Sequence, residues 1–244
     1  MRPMMIESQG FEPRCYALVP AAGVGARSGA ALPKQYVSVA GCAMMAHTLD
    51  ALLKVQRLTA TLVVLAPDDA QFEAAVPGFQ GERAWVARCG GASRAESVAQ
   101  GLMELRARGA QPHDWVLVHD AARCLVRPEW VTGLIEACEA DEVGGLLAMP
   151  VADTMKEEGE GAQGSRIART LDRRHKWLAQ TPQMFRLGLL QPALAGADAS
   201  VTDEASAVEA LGHQPLLVAA PLENFKLTWP ADFELAERLL RSRA

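Results

Sequence analysis

Several features that would assign a protein to a broad class are missing from this chain of 244 residues. No apolar run reaches the length of a membrane span, and the first twelve positions lack the apolar core of a secretion signal. A net charge of −5 argues against a broad nucleic-acid surface. We therefore expect a cytoplasmic protein that binds neither membranes nor nucleic acid.

Metal-site and disulfide patterns are missing as well. The five cysteines are odd in number and widely spaced, and they include no Cys-x-x-Cys pair. The five histidines show no ligand spacing either. These patterns predict reduced thiols and exclude a zinc site or a disulfide framework.

The most informative segment, residues 19–36, has the sequence VPAAGVGARSGAALPKQY and follows a short apolar stretch typical of a buried strand. It opens with small residues, on which a backbone can close around a ligand. These are Ala21, Ala22, Gly23 and Gly25. The cations Arg27 and Lys34 follow, and bare amides beside fixed positive charge suit a nucleoside triphosphate. A plain strand-to-helix turn would explain the small residues but not the two cations.

Two commoner phosphate loops do not fit this segment. The P-loop needs a glycine followed directly by lysine and a hydroxyl residue, and no glycine here has that sequel. The dinucleotide fingerprint fails because Ser28 stands at its third glycine position. Its acidic residue is also missing, since the nearest acid, Asp50, lies inside an apparent helix.

Strand and helix patterns alternate along the first 150 residues. Apolar runs predict strands at 15–19, 60–66, 84–87, 115–119 and 143–150. Helical patterns occupy 43–55, 93–106 and 129–140, and later 203–211 and 231–241, with a strand at 215–219 between the last two. Such alternation predicts an α/β fold with a mostly parallel sheet and helices on both faces. Ligands of such sheets bind beyond the carboxyl ends of the strands.

A polar excursion interrupts the alternation at about 151–176. Its pattern predicts a hairpin with strands at 151–154 and 166–171 and a tip at 155–165. Cations gather towards its end, at Arg169, Arg173, Arg174 and Lys176. Guanidinium groups match phosphate, so a second anionic substrate is one explanation. A solvated arm is the other.

Two further motifs follow predicted strands. The turn CGGASRAES at 89–97 contains a capping box, Ser93 with Glu96, and the small residues Gly91 and Ala92, whose amides and carbonyls could contact a base. The hydroxyl of Ser97 would face ribose or phosphate.

The run VLVHDAAR at 116–123 delivers Asp120 to a strand end, where a carboxylate facing a triphosphate could hold Mg²⁺. Capping of a turn, or pairing with Arg123, is the alternative. His119 is expected to be structural. Downstream, residues 179–185 resemble a rigid turn, Thr202 is expected to cap a helix, and Lys226 lies in a strand-like piece.

In this order the motifs resemble those of the 2-C-methyl-D-erythritol 4-phosphate cytidylyltransferases, the IspD family of the non-mevalonate isoprenoid pathway. The resemblance covers residues 16–240. It rests on PAAGVGAR (20–27), PKQY (33–36), GG (90–91) with Arg94 and Ser97, VHDAAR (118–123), PVADTMK (150–156), QTPQMF (180–185), TDEAS (202–206) and NFKLT (224–228).

The resemblance implies a Rossmann-like fold of the nucleotide-diphospho-sugar transferase type, with a protruding β-arm for dimerisation. It also implies a single nucleotidyltransferase domain over residues 1–244, with no room after it for the cyclase domain that some relatives carry.

The resemblance also implies a reaction, in which the acceptor phosphate attacks the α-phosphorus of CTP in line and pyrophosphate leaves. Arg27 and Lys34 would stabilise the transition state, while Arg173 and Lys226 would position the attacking phosphate. Asp120 would hold Mg²⁺ or another divalent cation. Substrate contacts are implied for Asp120, Arg123 and Thr154. CTP contacts are implied for Ala21, Ala22, Gly23, Gly25, Gly91, Ala92 and Ser97.

The arm would cross to a second subunit of a homodimer, so that Thr154 and Arg173 would complete the partner's site. Either Arg173 or Arg174 is the aligned arginine. The chain departs from the family's usual pattern at Cys124, where proline is common, and at Ala92-Ser93, where an acidic pair is common. Neither departure removes a catalytic group.

Other functions stay open at this point. A pentitol (ribitol) 5-phosphate cytidylyltransferase would share the fold and the CTP site, and a nucleotidyltransferase using another base is a more distant relative. A regulatory module that binds nucleotides without turnover belongs to a different class. The retained Arg27, Lys34, Asp120 and Lys226 argue against it, because a pure binder needs no charge focused on the α-phosphate.

Overall fold

A central sheet flanked by helices forms the fold. The computed structural model describes residues 12–23, 33–159, 165–196 and 201–243. Its strands are β1 (Cys15–Pro20), β2 (Ser38–Val39), β3 (Cys42–Ala43), β4 (Leu58–Val64), β5 (Ala84–Ala87), β6 (Trp115–Val118), β7 (Gly144–Pro150), β8 (Met155–Gly159), β9 (Arg166–Leu171), β10 (Trp177–Arg186) and β11 (Leu216–Ala219). Its helices are α1 (Met44–Leu53), α2 (Phe72–Ala75), α3 (Arg94–Ala107), α4 (Pro128–Cys138), α5 (Leu187–Ala195), α6 (Glu204–Ala210) and α7 (Pro230–Ser242).

The central sheet has seven strands in the order β11-β7-β10-β6-β1-β4-β5. Strand β10 runs antiparallel to its neighbours β6 and β7, and the other neighbouring pairs are parallel. The predicted mostly parallel α/β sheet is therefore confirmed. Strand β1 lies inside this sheet, so the segment that follows it emerges at the middle of the carboxyl edge.

Alternation along β1 divides the core between the two faces of the sheet. Ala17 and Val19 pack in one cluster with α1 and α4, whereas Tyr16 and Leu18 pack in the other with α3 and α5. Successive side chains of a strand point to opposite faces, so a strand that is apolar at every position is covered on both. The predicted helices on both faces are thus confirmed. In the part of the chain that the structure describes, no helix is both long and apolar enough to cross a bilayer.

The arm forms a separate two-stranded sheet, β8 with β9. The second strand was predicted correctly, but the first was placed too early, because Met155–Gly159 lies inside the predicted tip. Glu157 and Glu158 explain the error: charged residues favoured a loop, although both faces of this hairpin are largely open to solvent and tolerate charge.

Three further local predictions were wrong. Residues 179–185 form part of β10 and not a turn, because the strand accommodates Pro182 where its register with β7 shifts between Ala179 and Gln183. Asp203, not Thr202, caps α6, since its carboxylate accepts from the amide of Ser206 at 2.9 Å. Lys226 follows a short helical turn, Leu222–Asn224, and belongs to no strand.

Candidate active site

Three turns meet at the carboxyl edge of the sheet and border a cavity of about 270 Å³. They follow β1, β5 and β6, which are parallel to one another, so their ends lie on one side as expected for a ligand site. The cavity is lined by Pro20, Ala21, Ala22, Gly23, Lys34, Gln35, Met44, Gly91, Ala92, Ser93, Arg94, Ser97, Asp120, Ala121, Ala122 and Lys226.

Most of the predicted site residues are thereby brought together. Those that line the cavity are Ala21, Ala22, Gly23, Lys34, Gly91, Ala92, Ser97, Asp120 and Lys226. Arg123, Thr154 and Arg173 are not part of the lining formed by the described residues. Gly25 and Arg27 lie outside the described residues, so their predicted roles stay predictions.

Lys34 is fixed by the two side chains that follow it. Lys34–Tyr36 forms a short 3-10 turn at the cavity wall. Gln35 is buried and its Nε2 donates to the carbonyl of Ala21 at 2.9 Å. The hydroxyl of Tyr36 donates to Asp69 Oδ2 at 2.6 Å. The backbone that carries Lys34 is therefore tied directly to the small-residue turn after β1.

The turn after β5 satisfies its own amides. The Gly91 amide donates to Ser97 Oγ at 3.2 Å, and the Ala92 amide donates to Glu96 Oε2 at 2.7 Å. Ser97 is buried and its hydroxyl donates to the carbonyl of Ser93 at 2.9 Å. These amides and this hydroxyl thus have partners within the helix cap, and the predicted contacts of this turn with CTP stay predictions.

Asp120 is held by two cations. It is 7% exposed, and its Oδ1 lies 2.8 Å from Arg94 Nε while its Oδ2 lies 2.7 Å from Lys226 Nζ. Burial alone would raise the pKa of this carboxyl, but Arg94 and Lys226 outweigh it and hold the pKa well below its usual range. Asp120 is thus an ionised group at neutral pH, and it is not paired with Arg123.

Sequence reasoning assigned no role to Arg94 or Glu204. The terminal nitrogens of Arg94 lie 2.7 and 3.0 Å from the two carboxylate oxygens of Glu204, whose side chain is 1% exposed. Arg94 follows the glycine pair at 90–91, and Glu204 lies in the motif TDEAS at 202–206. The acidic pair Asp203-Glu204 that opens the stretch DEAS was the available signal, but only the fold shows that Glu204 is buried against Arg94.

A buried hydrogen-bonded chain fixes the backbone of Asp120. Its amide donates to Thr181 Oγ1 at 3.0 Å, and that oxygen lies 3.1 Å from His119 Nδ1. His119 Nε2 lies 3.3 Å from the carbonyl of Arg123, which can only accept, so Nε2 carries the proton and Nδ1 accepts from Thr181. Burial lowers the pKa of His119 to about 4. His119 is a neutral structural residue, as expected.

Arg123 supports the segment that carries Lys226. It is 9% exposed, and its guanidinium donates to the carbonyls of Asn224 at 2.7 Å and Ala179 at 3.4 Å. Asn224 in turn donates to Gln180 Oε1 at 2.8 Å. Arg123 was predicted to bind substrate, but the structure directs it to backbone carbonyls behind the cavity.

The arm residues Thr154 and Arg173 are both exposed. Arg174, the alternative aligned arginine, lies 2.7 Å from the Asp172 carboxylate beside it on the arm. Arg173 therefore presents the better candidate for an external anion.

A magnesium ion fits this cavity only in one way. Among the described residues, no cluster of three or more histidine, cysteine or acidic side chains is suited to a metal ion. Asp120 is the carboxylate in the cavity lining, and each of its oxygens already contacts a cation. Mg²⁺ often takes one or two protein carboxylates and completes its shell with substrate phosphates and water. The residues thus fit an ion carried mainly by a triphosphate, for which Asp120 would be the protein ligand.

A larger cavity, about 500 Å³, lies between α1 and residues 74–79. Its lining is mostly apolar and contains no lysine or arginine. It lacks the cations that a triphosphate needs, so the smaller cavity is the candidate site.

Comparison with known proteins agrees with this geometry. The family model of 2-C-methyl-D-erythritol 4-phosphate cytidylyltransferase (IspD) matches residues 15–242. A protein of that name from Burkholderia cenocepacia is 52% identical over 231 residues, which is 93% of this chain and 96% of the relative. A solved structure of 4-diphosphocytidyl-2C-methyl-D-erythritol synthase has a TM-score of 0.82 at 40% identity and covers 94% of this chain and 99% of its own.

The bifunctional enzyme IspD/IspF of Albidiferax ferrireducens is 54% identical over 242 residues, which cover 99% of this chain. The chain spans only 56% of that longer relative. A match over nearly the whole chain, at identities above one half, places it plainly: this chain belongs to the 2-C-methyl-D-erythritol 4-phosphate cytidylyltransferase family.

Proposed function

We propose that the cavity binds CTP and transfers its CMP moiety to 2-C-methyl-D-erythritol 4-phosphate, which gives 4-diphosphocytidyl-2-C-methyl-D-erythritol and pyrophosphate. The observation that carries this proposal is the convergence of Lys34, Asp120 and Lys226 on one cavity beside the small-residue turn after β1. The family assignment and the printed names of the relatives support the same activity in isoprenoid biosynthesis.

The reaction needs positioned charge and no covalent enzyme intermediate. A phosphate oxygen of the acceptor forms a bond to the α-phosphorus as the bond to the bridging oxygen breaks, and pyrophosphate leaves with the electron pair. Negative charge accumulates on the α-phosphate oxygens in the transition state. Lys34 on the cavity wall, together with Arg27, would stabilise that charge.

Lys226 is the group that we assign to the acceptor phosphate. Its side chain is 45% exposed, while the Asp120 carboxylate that it contacts is almost buried. The lysine can therefore turn its exposed ammonium group towards an anion without leaving a desolvated position. A bound magnesium ion would neutralise charge on the triphosphate, with Asp120 as the protein residue that would hold it.

We assign the arm a role in a homodimer. Three large apolar side chains on or beside it are exposed, Ile167 by 65%, Trp177 by 38% and Leu178 by 49%. Apolar surface of this kind is typical of a contact with another chain. A partner arm would bring Arg173 and Thr154 to this cavity. We further propose a cytoplasmic enzyme without nucleic-acid partners, in agreement with its net charge and its five free cysteines.

Pyrophosphate release tests the proposal directly. The protein is incubated with CTP and Mg²⁺ and offered 2-C-methyl-D-erythritol 4-phosphate or ribitol 5-phosphate in parallel. We expect release with the first acceptor. Preference for ribitol 5-phosphate would keep the mechanism and change the substrate. No release with either acceptor would favour the regulatory module.

A further inference from the structure

The four charged groups at the base of the cavity form one continuous series of contacts. Glu204 contacts Arg94, Arg94 contacts Asp120, and Asp120 contacts Lys226, so the charges alternate in sign. The series begins at a carboxylate that is 1% exposed and ends at an ammonium group on a side chain that is 45% exposed. It therefore links the protein interior to the substrate face.

Arg94 divides its nitrogens unequally between the two carboxylates. Both terminal nitrogens face Glu204, at 2.7 and 3.0 Å, and only Nε faces Asp120, at 2.8 Å. A guanidinium fork prefers to bind one carboxylate with two parallel hydrogen bonds. Because Glu204 occupies that fork, Asp120 keeps its second oxygen for Lys226.

Stability is a weak reason for this arrangement. A buried ion pair often contributes no more to folding than apolar residues of the same volume would, because desolvation offsets the attraction. Further hydrogen bonds fix the position of Glu204 in its pair with Arg94. Gln183 on β10 accepts from the Ala205 amide at 2.7 Å and donates to Asp203 Oδ2 at 2.8 Å, which fixes the start of α6 beside Glu204.

Strand β10 supports the other end of the series as well. Thr181, two residues before Gln183, accepts from the Asp120 amide at 3.0 Å. The backbone of Asp120 and the helix that carries Glu204 are thus held by the same strand. Their separation is set by the fold, so Arg94 bridges two carboxylates that stay in place.

We propose that Glu204 is a positioning residue for the transfer reaction: it holds the fork of Arg94, limits that arginine to one oxygen of Asp120, and reserves the other oxygen for Lys226. Without the Glu204 charge, the guanidinium would turn and take both oxygens of Asp120, and Lys226 would be released from its position. This inference rests on the proposed function for its kinetic consequence, but its structural consequence can be measured without turnover.

The structural test compares wild type with Glu204→Gln, which keeps the size of the side chain and removes its charge. Acetylation of Lys226 by acetic anhydride in the free protein is followed by mass spectrometry, with the exposed Lys54 as internal reference. We expect acetylation of Lys226 to be roughly tenfold faster in the variant, the factor for losing one charge-assisted hydrogen bond. Glu209→Gln, an exposed site on the same helix, is the matched control and should not change the rate.

The kinetic test separates the two substrates. For Glu204→Gln we expect roughly a tenfold rise in KM for the acceptor phosphate, or an equal fall in kcat, with the Kd for CTP changed less than about twofold. A general structural defect would instead weaken CTP binding and lower Tm together. Unchanged acetylation and unchanged kinetics would overturn the proposal, and so would equal losses for both substrates.

A double variant keeps the proposal testable if Glu204→Gln does not fold. Arg94→Met with Glu204→Gln removes both charges, so no buried charge is left unpaired, and it also removes the guanidinium that competes with Lys226 for Asp120. We therefore expect Lys226 to keep both oxygens of Asp120 and to be acetylated more slowly than in wild type. Acetylation of Lys226 at or above the wild-type rate in this double variant would overturn the proposal. If wild type releases no pyrophosphate while Glu204→Gln still changes the acetylation of Lys226, the proposed function fails and the positioning inference stands.

Discussion

The side chain of Ala22 fills the space that a side chain on Gly90 would need. A Cβ at Gly90 would lie 2.2 Å from Ala22 Cβ and 2.8 Å from the carbonyl oxygen of Leu65. The amide of Gly90 donates to that same carbonyl at 2.8 Å. The backbone of Gly90, in the turn after β5, therefore packs against the side chain of Ala22, in the turn after β1. The two turns can lie this close only because Gly90 has no Cβ.

This contact predicts the effect of Gly90→Ala. The added methyl group must push the two turns apart, so we expect weaker CTP binding and a loss of about 1–3 kcal/mol in the free energy of unfolding, as for overpacking. Calorimetric titration with CTP and urea unfolding measure the two effects. Gly133→Ala is the control, because nothing lies within 4 Å of its added Cβ in the middle of α4, and it should stabilise by about 0.5–1 kcal/mol. CTP binding by Gly90→Ala at the wild-type level would show that the turns do not form the nucleotide site.

Lys34→Ala tests the cation on the cavity wall. The neighbouring anchors Gln35 and Tyr36 remain, so we expect an unchanged fold. Loss of one transition-state contact lowers kcat by roughly 100- to 1,000-fold. Steady-state pyrophosphate release gives kcat, and Lys54→Ala, which removes only an exposed pair with Asp50, should behave like wild type. Near-normal turnover in Lys34→Ala would rule out its proposed role.

The sequence was sufficient for much of the fold and for the surface of the site. Apolar runs such as 115–119 are buried strands in a mostly parallel sheet, so composition and alternation located them well. The small residues 21–23 and Asp120 follow strands, and the carboxyl ends of parallel strands share one edge, which is why the order of motifs predicted a common site.

The features that could not be predicted from the sequence depend on contacts between residues that are far apart in the chain. Glu204 and Arg94 are 110 positions apart, and no local pattern pairs them. The resemblance implied that Arg123 contacts substrate, but its hydrogen-bond partners are carbonyls that only the folded chain brings near. The segment 179–185 was predicted as a rigid turn, yet it belongs to a strand whose register shifts around Pro182.

Thr181→Val tests the buried support of Asp120. The hydroxyl serves the Asp120 amide and His119 Nδ1 together, and an isosteric methyl group would leave both without a partner. We expect a loss of roughly 2–4 kcal/mol in the free energy of unfolding, since each unsatisfied buried group costs about 1–3 kcal/mol. Urea unfolding measures it.

Thr61→Val is the matched control for this substitution. Thr61 Oγ1 is buried and has no hydrogen-bond partner among the described residues, so replacing it should be neutral or slightly stabilising. An equal loss of unfolding free energy in the two valine variants would mean that the hydrogen bonds of the Thr181 hydroxyl do not stabilise the fold.

Mixed dimers test the assignment of Arg173 to the partner's cavity. Lys34→Ala and Arg173→Ala should each be nearly inactive. If one site takes Lys34 from one chain and Arg173 from the other, a mixed dimer contains one intact site. Random mixing of the two variants should then restore roughly a quarter of the wild-type rate, since half of the dimers are mixed.

Arg174→Ala serves as the control for position on the arm. Its guanidinium pairs with Asp172, so it should keep most of the activity. Absence of recovery in the mixture, with both parent variants folded and dimeric, would place Arg173 outside the partner's site.

His119 predicts how stability depends on pH. Burial, and after it the charges of Arg123 and Arg94, lower its pKa from 6.5 to about 4 in the folded protein, against the attraction of Asp120. Between those two values the unfolded chain binds the proton more readily than the folded chain. The contribution of this neutral imidazole is therefore complete above about pH 6.5 and is lost as the pH falls towards 4.

The difference of about 2.5 pKa units corresponds to about 3 kcal/mol. We expect the free energy of unfolding of wild type to fall by about that much more than that of His119→Gln between pH 7.5 and pH 4. Asp120 does not interfere, because its pKa is already held low in the folded state and it is present in both proteins. If the glutamine variant does not fold, NMR of wild type is the alternative measurement. The imidazole carbon chemical shift of His119 should keep the value of a neutral imidazole down to pH 5. Parallel pH profiles, or a resonance that titrates near 6.5, would contradict a buried neutral histidine.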